Sequence, residues 1–297
     1  MILVVGSTGM VGSEICRLLA EKGKPVMAMV RATTDPAKVE RLKSLGVNLV
    51  TGDLRDPASL MAACQGVDTV ISTVSAMPFS YQPGVNDIQK IDLDGMKSLI
   101  DAAKDAGVKH FIDTSYSKNI TIDCPLTNTK RAVENHLMKS GLVYTILRPT
   151  CFMEVWLGPA VGFDPSNGKI TVYGAGNLPI GWISIKDVAA FAVESLTNPA
   201  ARNAVLELGG PVSLSYDQVI KIFEEVSGRT FEVTHVPAEA LHMQVQSAQD
   251  PMQKSFAALM EGVAAVGDPI DMTATLKQFP LKLMSVHEYA RSVSVKA

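Results

Sequence analysis

An α/β fold, a doubly wound parallel sheet with a smaller C-terminal lobe of mixed α and β structure, is what this sequence predicts. Three observations predict it. Near-continuous apolar runs alternate with amphipathic helical windows as far as Pro149, the pattern of parallel strands covered on both faces by crossover helices. Gly23, Gly46, Gly66, Gly107 and Gly141 each close a helical window, where a left-handed C-cap favours glycine. Pro36 and Pro57 open two others, at the first-turn position where the missing N–H costs nothing.

The elements follow in order. ILVVG is the first strand and MVGSEICRLLAEKG the helix behind it; VMAMV and PAKVERLKSLG, then VNLVTG and PASLMAACQG, repeat the unit. DTVISTV leads into QKIDLDGMKSLIDAAKDAG, which reads as one long amphipathic helix, and KHFIDTS leads into TKRAVENHLMKSG. VYTILRP is the sixth strand. Beyond Pro149 come a Gly/Pro-rich stretch from Gly158 to Gly181, a helix around Lys186–Leu196, a strand AVLELGG, a helix Tyr216–Gly228, a strand FEVTHVP and a helical tail. The expected organisation is a first domain over 1–150, with 182–200 packing back on it, and a smaller interleaved lobe over 151–297.

Composition narrows the class. The 297 residues are 47% hydrophobic and 19% charged, ordinary for a globular protein. A net charge of −3 without long runs of one sign offers no basic face for nucleic acid. The opening MILVVG runs straight into a strand and no apolar stretch approaches a membrane span, which reads as a cytoplasmic protein. Four cysteines without C-x-x-C spacing and five scattered histidines predict no metal site.

The first strand leaves through VVGSTGMVGSEI, with Gly6, Gly9 and Gly12 spaced G-x-x-G-x-x-G between strand and helix. Glycine is needed there because a tight turn brings backbone N–H groups and a helix N-terminus against a pyrophosphate. In that context the turn from Gly6 through Ser7, Thr8, Gly9, Met10 and Val11 to Gly12 predicts a Rossmann-like dinucleotide site. Its spacing points toward the short-chain dehydrogenase/reductase superfamily. Where NAD enzymes keep a carboxylate at the second strand end, this chain has Arg31; a guanidinium meets a 2′-phosphate with charge-assisted bonds, so NADP(H) is the expected cofactor. An exposed arginine that only caps the strand is the alternative. At the third strand exit Asp53 and Leu54 are candidates for the adenine, or in the case of Asp53 for a turn cap. At the fourth exit the small run Ser72, Thr73 and Val74 lets a nucleotide lie close.

The stretches VGSTGMVG, MVRATT, GDLRDPASL, VDTVISTV, LIDAAKDAGVKHFIDTS, TKRAVENHLMKSGLVYTILRP and WISIKDVAAFAVESL resemble the atypical short-chain dehydrogenases of the NmrA-like and isoflavone-reductase-like group, over roughly Met1 to Leu196. Typical short-chain dehydrogenases carry Tyr-x-x-x-Lys, in which the phenol hands a proton to the reacting oxygen. Lys130 matches the lysine, but the tyrosine position is Leu126. The resemblance leaves Lys130 two roles, acid/base catalyst or orienter of the nicotinamide ribose. It places Pro149 and Phe152 in the loop beside the nicotinamide. Ser115, Tyr116 and Trp156 are candidates for the substrate pocket, Glu154 for its lid, and Met243, Met252, Met260, Phe256 and His235 for an apolar wall. Cys151 lies in the same loop and reads as an inert buried thiol.

The expected function is a reductase moving hydride from NADPH to a small apolar carbonyl, quinone or aromatic acceptor. The resemblance also implies an alternative, a non-catalytic redox sensor that binds the dinucleotide and reports to a protein partner. A nucleotide-sugar epimerase or dehydratase shares the fold, but Leu126 speaks against it.

Overall fold

The computed structural model describes residues 1–294. In chain order its elements are β1 (Ile2–Val5), α1 (Met10–Glu21), β2 (Val26–Val30), α2 (Pro36–Ser44), β3 (Asn48–Thr51), α3 (Pro57–Cys64), β4 (Thr69–Ser72), α4 (Met96–Asp105), β5 (His110–Thr114), α5 (Pro125–Lys139) and β6 (Val143–Pro149). There follow α6 (Met153–Trp156), β7 (Phe163–Asp164), β8 (Lys169–Tyr173), α7 (Ile185–Glu194), β9 (Ala204–Leu208), α8 (Tyr216–Ser227), β10 (Glu232–Val236), α9 (Ala238–Ser247), α10 (Pro251–Val266), α11 (Thr273–Gln278) and α12 (Val286–Ser294). The chain divides into two compact units, one of residues 1–115, 128–147 and 188–206, the other of 116–127, 148–187 and 207–294.

A seven-stranded sheet in the order β3-β2-β1-β4-β5-β6-β9 frames the first unit, and its pairings from β3 across to β6 are parallel. The order reverses between β1 and β4, and in open α/β sheets ligands bind at the carboxyl ends of the strands beside such a switch point. The helix punctuation is as expected: the five C-terminal glycines all have positive φ, and Asp35 and Asp56 cap α2 and α3 ahead of their prolines. The unit's core is aliphatic, with Leu3, Leu60, Val70, Leu99, Ile100 and Ile146 buried together.

One element departs from its expected form. The window read as a single helix starts with a π-helical segment, Ile88–Gly95, before α4 begins. Gly95 explains the close packing there, since a Cβ on it would lie 2.7 Å from the Leu54 Cβ. Wider π turns inside helices often mark functional sites.

The second unit holds a small sheet of order β10-β8-β7 and an aromatic core. Phe163 meets Phe223 edge-on at 5.0 Å and Trp182 meets Tyr216 at 4.9 Å, while Trp182 Nε1 donates to the Leu214 carbonyl at 2.8 Å. Edge-on packing brings the positive ring edge to the negative ring face. The helical tail resolves into α9 to α12. No helix among the described residues is long and apolar enough to cross a membrane.

Candidate functional site

The exit of β1 is shaped by backbone alone. Gly6 is left-handed (φ +81°), and its carbonyl accepts from the Gly9 N–H at 3.0 Å. A Cβ on Gly12 would lie 2.2 Å from the Gly6 oxygen, and one on Gly6 would lie 2.7 Å from Thr73 Oγ1. Both glycines are therefore dictated by how tightly the turn, α1 and the β4 exit approach one another. Gly9 is exposed and begins α1 with no side chain capping it and no acid in the first turn. The first N–H groups of a helix lack intrahelical partners, and with the helix dipole they favour a phosphate. These residues fit a dinucleotide pyrophosphate.

The neighbours divide by direction. Ser7 is fully buried with its Oγ donating to the Met29 carbonyl at 2.7 Å, and Val11 is a core residue. Thr8 and Met10 are the turn side chains that reach solvent. Ser72 is also buried, its Oγ donating to Met96 Sδ at 3.3 Å, which leaves only its backbone for a ligand. Thr73 Oγ1 lies 3.3 Å from the Gly6 carbonyl and secures the turn.

At the next strand ends the charges are sorted into pairs. Arg31 is exposed, its N–H on Thr34 Oγ1 at 3.0 Å and its Nη1 on Asn86 Oδ1 at 3.0 Å. Asp53 accepts a fork from Arg55, Nε to Oδ1 at 2.9 Å and Nη2 to Oδ2 at 2.5 Å. Hydrogen bonding from Arg55 holds the Asp53 carboxyl below its usual range, and Arg31 adds to the effect. Leu54 lies against Gly95.

Lys130 stands in a buried ionic cluster. Only 6% exposed, it donates from Nζ to the Val74 carbonyl at 2.8 Å and lies 3.7 Å from Asp92 Oδ1. Asp92 comes from the π segment; its Oδ2 accepts from the Ala76 N–H at 2.9 Å, and its Oδ1 has no hydrogen-bond partner. Burial pushes the Asp92 carboxyl up while Lys130 draws it back. Asp113 on β5 is buried as well, with Oδ1 unpartnered. Burial pushes it up to about 6, against the pull of Lys130 and with the push of Glu134. Glu134 is paired with Arg131 at 2.7 Å, and Arg131 also reaches Ser115 Oγ at 3.5 Å.

Leu126, one helical turn before Lys130, is buried, and its N–H donates to Ser255 Oγ at 3.1 Å. In the second unit Tyr116 donates its hydroxyl to Thr127 Oγ1 at 2.5 Å. The Pro149 carbonyl accepts from Ser117 N–H at 2.9 Å, and Phe152 bridges to Ile183. Trp156 packs half-buried on the aromatic core. Glu154, expected in a lid, instead accepts from Ser184 Oγ at 2.6 Å and Ile185 N–H at 3.0 Å, so it caps α7. Cys151 is an inert thiol, pushed up by burial. The methionines do not form one wall: Met260 is in a core with Leu241, whereas Met243 is 64% exposed. Among the described residues no cluster could hold a metal ion.

Sequence reasoning missed Asp92, Asp113, Glu134, Asn86 and Arg55. Two had a signal. Asp113 is a charged residue directly after the apolar pair Phe111 and Ile112 of a strand, and Asp92 shares helical spacing with Ile88 and Met96.

The comparisons with known proteins agree with this geometry. The NmrA-like family matches residues 1–290. An NAD(P)H azoreductase of Xenophilus azovorans is 33% identical over 282 residues, 94% of this chain and 92% of that protein. A maize isoflavone reductase homologue is 32% identical over 267 residues, 84% of this chain and 82% of that one. Among solved structures, an NADPH-dependent quinone oxidoreductase of Escherichia coli, complexed with NADPH, superposes with a TM-score of 0.79 at 25% identity and 99% coverage of both chains.

Proposed function

The chain belongs to the NmrA-like family, and on that premise we propose that it is an NADPH-dependent reductase passing hydride to a conjugated apolar acceptor such as a quinone or an azo compound. The observation that carries this reading is Lys130, a buried cation held at the β4 exit by the Val74 carbonyl and Asp92, on the same strand-end edge as the glycine turn. Reduced nicotinamide supplies the hydride when bound. Gly6, Gly9 and Gly12 with the α1 N-terminus take the pyrophosphate, Arg31 the 2′-phosphate, and Asp53 with Leu54 the adenine side. Lys130 orders the nicotinamide ribose and holds a proton at Nζ.

Leu126 selects among acceptors. Hydride addition to an isolated carbonyl builds a strongly basic alkoxide that wants an acid in place, the role of the missing phenol. Addition to a quinone yields a delocalised phenolate, which a proton from Lys130 or from water then completes to the hydroquinone. The balance is one hydride and one proton per acceptor. An azoreductase and a quinone oxidoreductase among the relatives support such acceptors.

The test follows loss of NADPH absorbance with quinones, azo dyes and simple carbonyls, for the wild type beside Lys130→Met. We expect turnover of the conjugated acceptors, reduced about 100-fold in the variant, with NADPH binding retained. Tight NADPH binding with no turnover of any acceptor would overturn the reading in favour of a dinucleotide sensor.

A further inference from the structure

The Arg31 guanidinium, assigned above to the 2′-phosphate, stands on an exposed side chain that on its own would sample many rotamers. Its Nη1 is held by Asn86, which is only 5% exposed and belongs to a loop closed upon itself. Gln82 and Asn86 exchange both backbone hydrogen bonds, at 2.9 and 2.8 Å. Asn86 Nδ2 donates to the Ser80 carbonyl at 2.6 Å and its Oγ at 3.2 Å. Asp87 accepts from the Gly84 and Lys90 N–H groups at 2.9 and 2.8 Å. The Asn86 amide is therefore fixed in both position and orientation, and its oxygen is the end offered to Arg31. The amide oxygen is a neutral acceptor for the guanidinium.

The adjacent charge is handled differently. Asp53 lies close enough to Arg31 to feel its charge. A free carboxylate there would compete for the guanidinium and repel an incoming phosphate. Arg55 occupies both Asp53 oxygens and reaches the Val85 carbonyl at 3.4 Å, so two guanidiniums run from the ends of β2 and β3 to neighbouring residues of the same loop.

We propose that Asn86 is a positioning residue for NADP(H) specificity: it orients the Arg31 fork so that the remaining donors meet the 2′-phosphate, while Arg55 masks Asp53. The inference rests on Arg31 being the 2′-phosphate ligand. A neutral amide suits the task because it fixes the guanidinium without cancelling its charge, as a carboxylate would. Preorganisation lowers the ordering cost of binding, and the saving applies only to the nucleotide that carries the extra phosphate.

Equilibrium binding of NADPH and of NADH, by calorimetry, tests this in the wild type, Asn86→Ala and Arg55→Gln. The expected result for Asn86→Ala is an affinity for NADPH weaker by about tenfold with NADH unchanged; Arg55→Gln moves the same ratio by a smaller factor. A loop that merely lost its shape would weaken both nucleotides together, and that outcome overturns the proposal, as does an unchanged ratio in both variants. Arg55 is exposed, so Arg55→Gln decides the matter if Asn86→Ala does not fold. A wild type that binds NADH as tightly as NADPH would remove the Arg31 assignment, and this inference with it; a wild-type preference that survives both substitutions removes this inference alone.

Discussion

Both units bury carboxylates, but they treat them differently. In the second unit Asp268 accepts from Ser117 Oγ and Asn119 Nδ2 at 2.5 and 2.9 Å and Asp187 from the N–H groups of Met284 and Ser184, while the half-buried Glu154 accepts from Ser184 and Ile185. In the first unit Asp92 and Asp113 each leave an oxygen without a hydrogen bond, beside a lysine that is itself buried. A satisfied buried carboxylate joins segments of the fold, whereas an unsatisfied one is a cost that the rest of the structure must carry. Such costs concentrate where chemistry needs a charge held away from water. The contrast supports the proposed role of Lys130 and its buried acids in the first unit, and is consistent with a structural role for the second unit's acids.

The largest expected effect would break the ionic cluster itself. Lys130→Met strips Asp92 of its counter-charge, and we expect a loss of about 3 kcal/mol or more at pH 8 in urea unfolding. The loss shrinks in acid, where Asp92 takes up a proton. Adding Asp92→Asn to the same chain should recover most of it, the signature of coupled residues in a double-mutant cycle. Additive losses would show that the two do not act as a pair.

A second experiment sharpens the comparison through pH. Asp113 sits at about 6 in the fold against an ordinary value near 3.9. A raised carboxylate favours the protonated fold, so its penalty is absent below pH ~4, grows as pH rises towards 6 and is complete above it, reaching about 3 kcal/mol. Asp113→Asn should therefore stabilise the protein at pH 8 and change little at pH 4, read from urea unfolding at both values. Asp268 is also pushed up to about 6 by burial, but Asp268→Asn sacrifices charge-assisted bonds from Ser117 and Asn119. Its gain at pH 8 should be smaller by about 1–2 kcal/mol. Equal gains at the two sites would erase the distinction between satisfied and unsatisfied acids.

The smallest effect belongs to the second unit's architecture. Glu154→Ala removes two hydrogen bonds at the start of α7 and should cost about 1–2 kcal/mol, the scale of a lost helix cap, with NADPH affinity unchanged. A marked loss of NADPH binding would move Glu154 from scaffold to site.

Much of the first unit was legible in the sequence because its signals are local. The strands are runs of adjacent apolar residues, the helix ends are marked by glycine and proline, and the glycine spacing of the turn Gly6–Gly12 is written within seven residues. Leu126 in the tyrosine position was legible in the same way. The π segment was not, because its residues have the spacing of an ordinary amphipathic helix and only packing against Leu54 reveals the wider turn.

Sequence alone thus determined the fold class, the glycine turn after the first strand, the arginine at the end of the second and the absence of a phenol one turn before Lys130. Tertiary structure decided which groups those residues answer to. Arg31 meets Asn86 from 55 positions away and Lys130 meets the Val74 carbonyl from 56; no periodicity links residues so far apart. The first kind of information lies in short-range propensity and pattern, and the second exists only once the strands are ordered side by side and their ends are brought to one edge of the sheet.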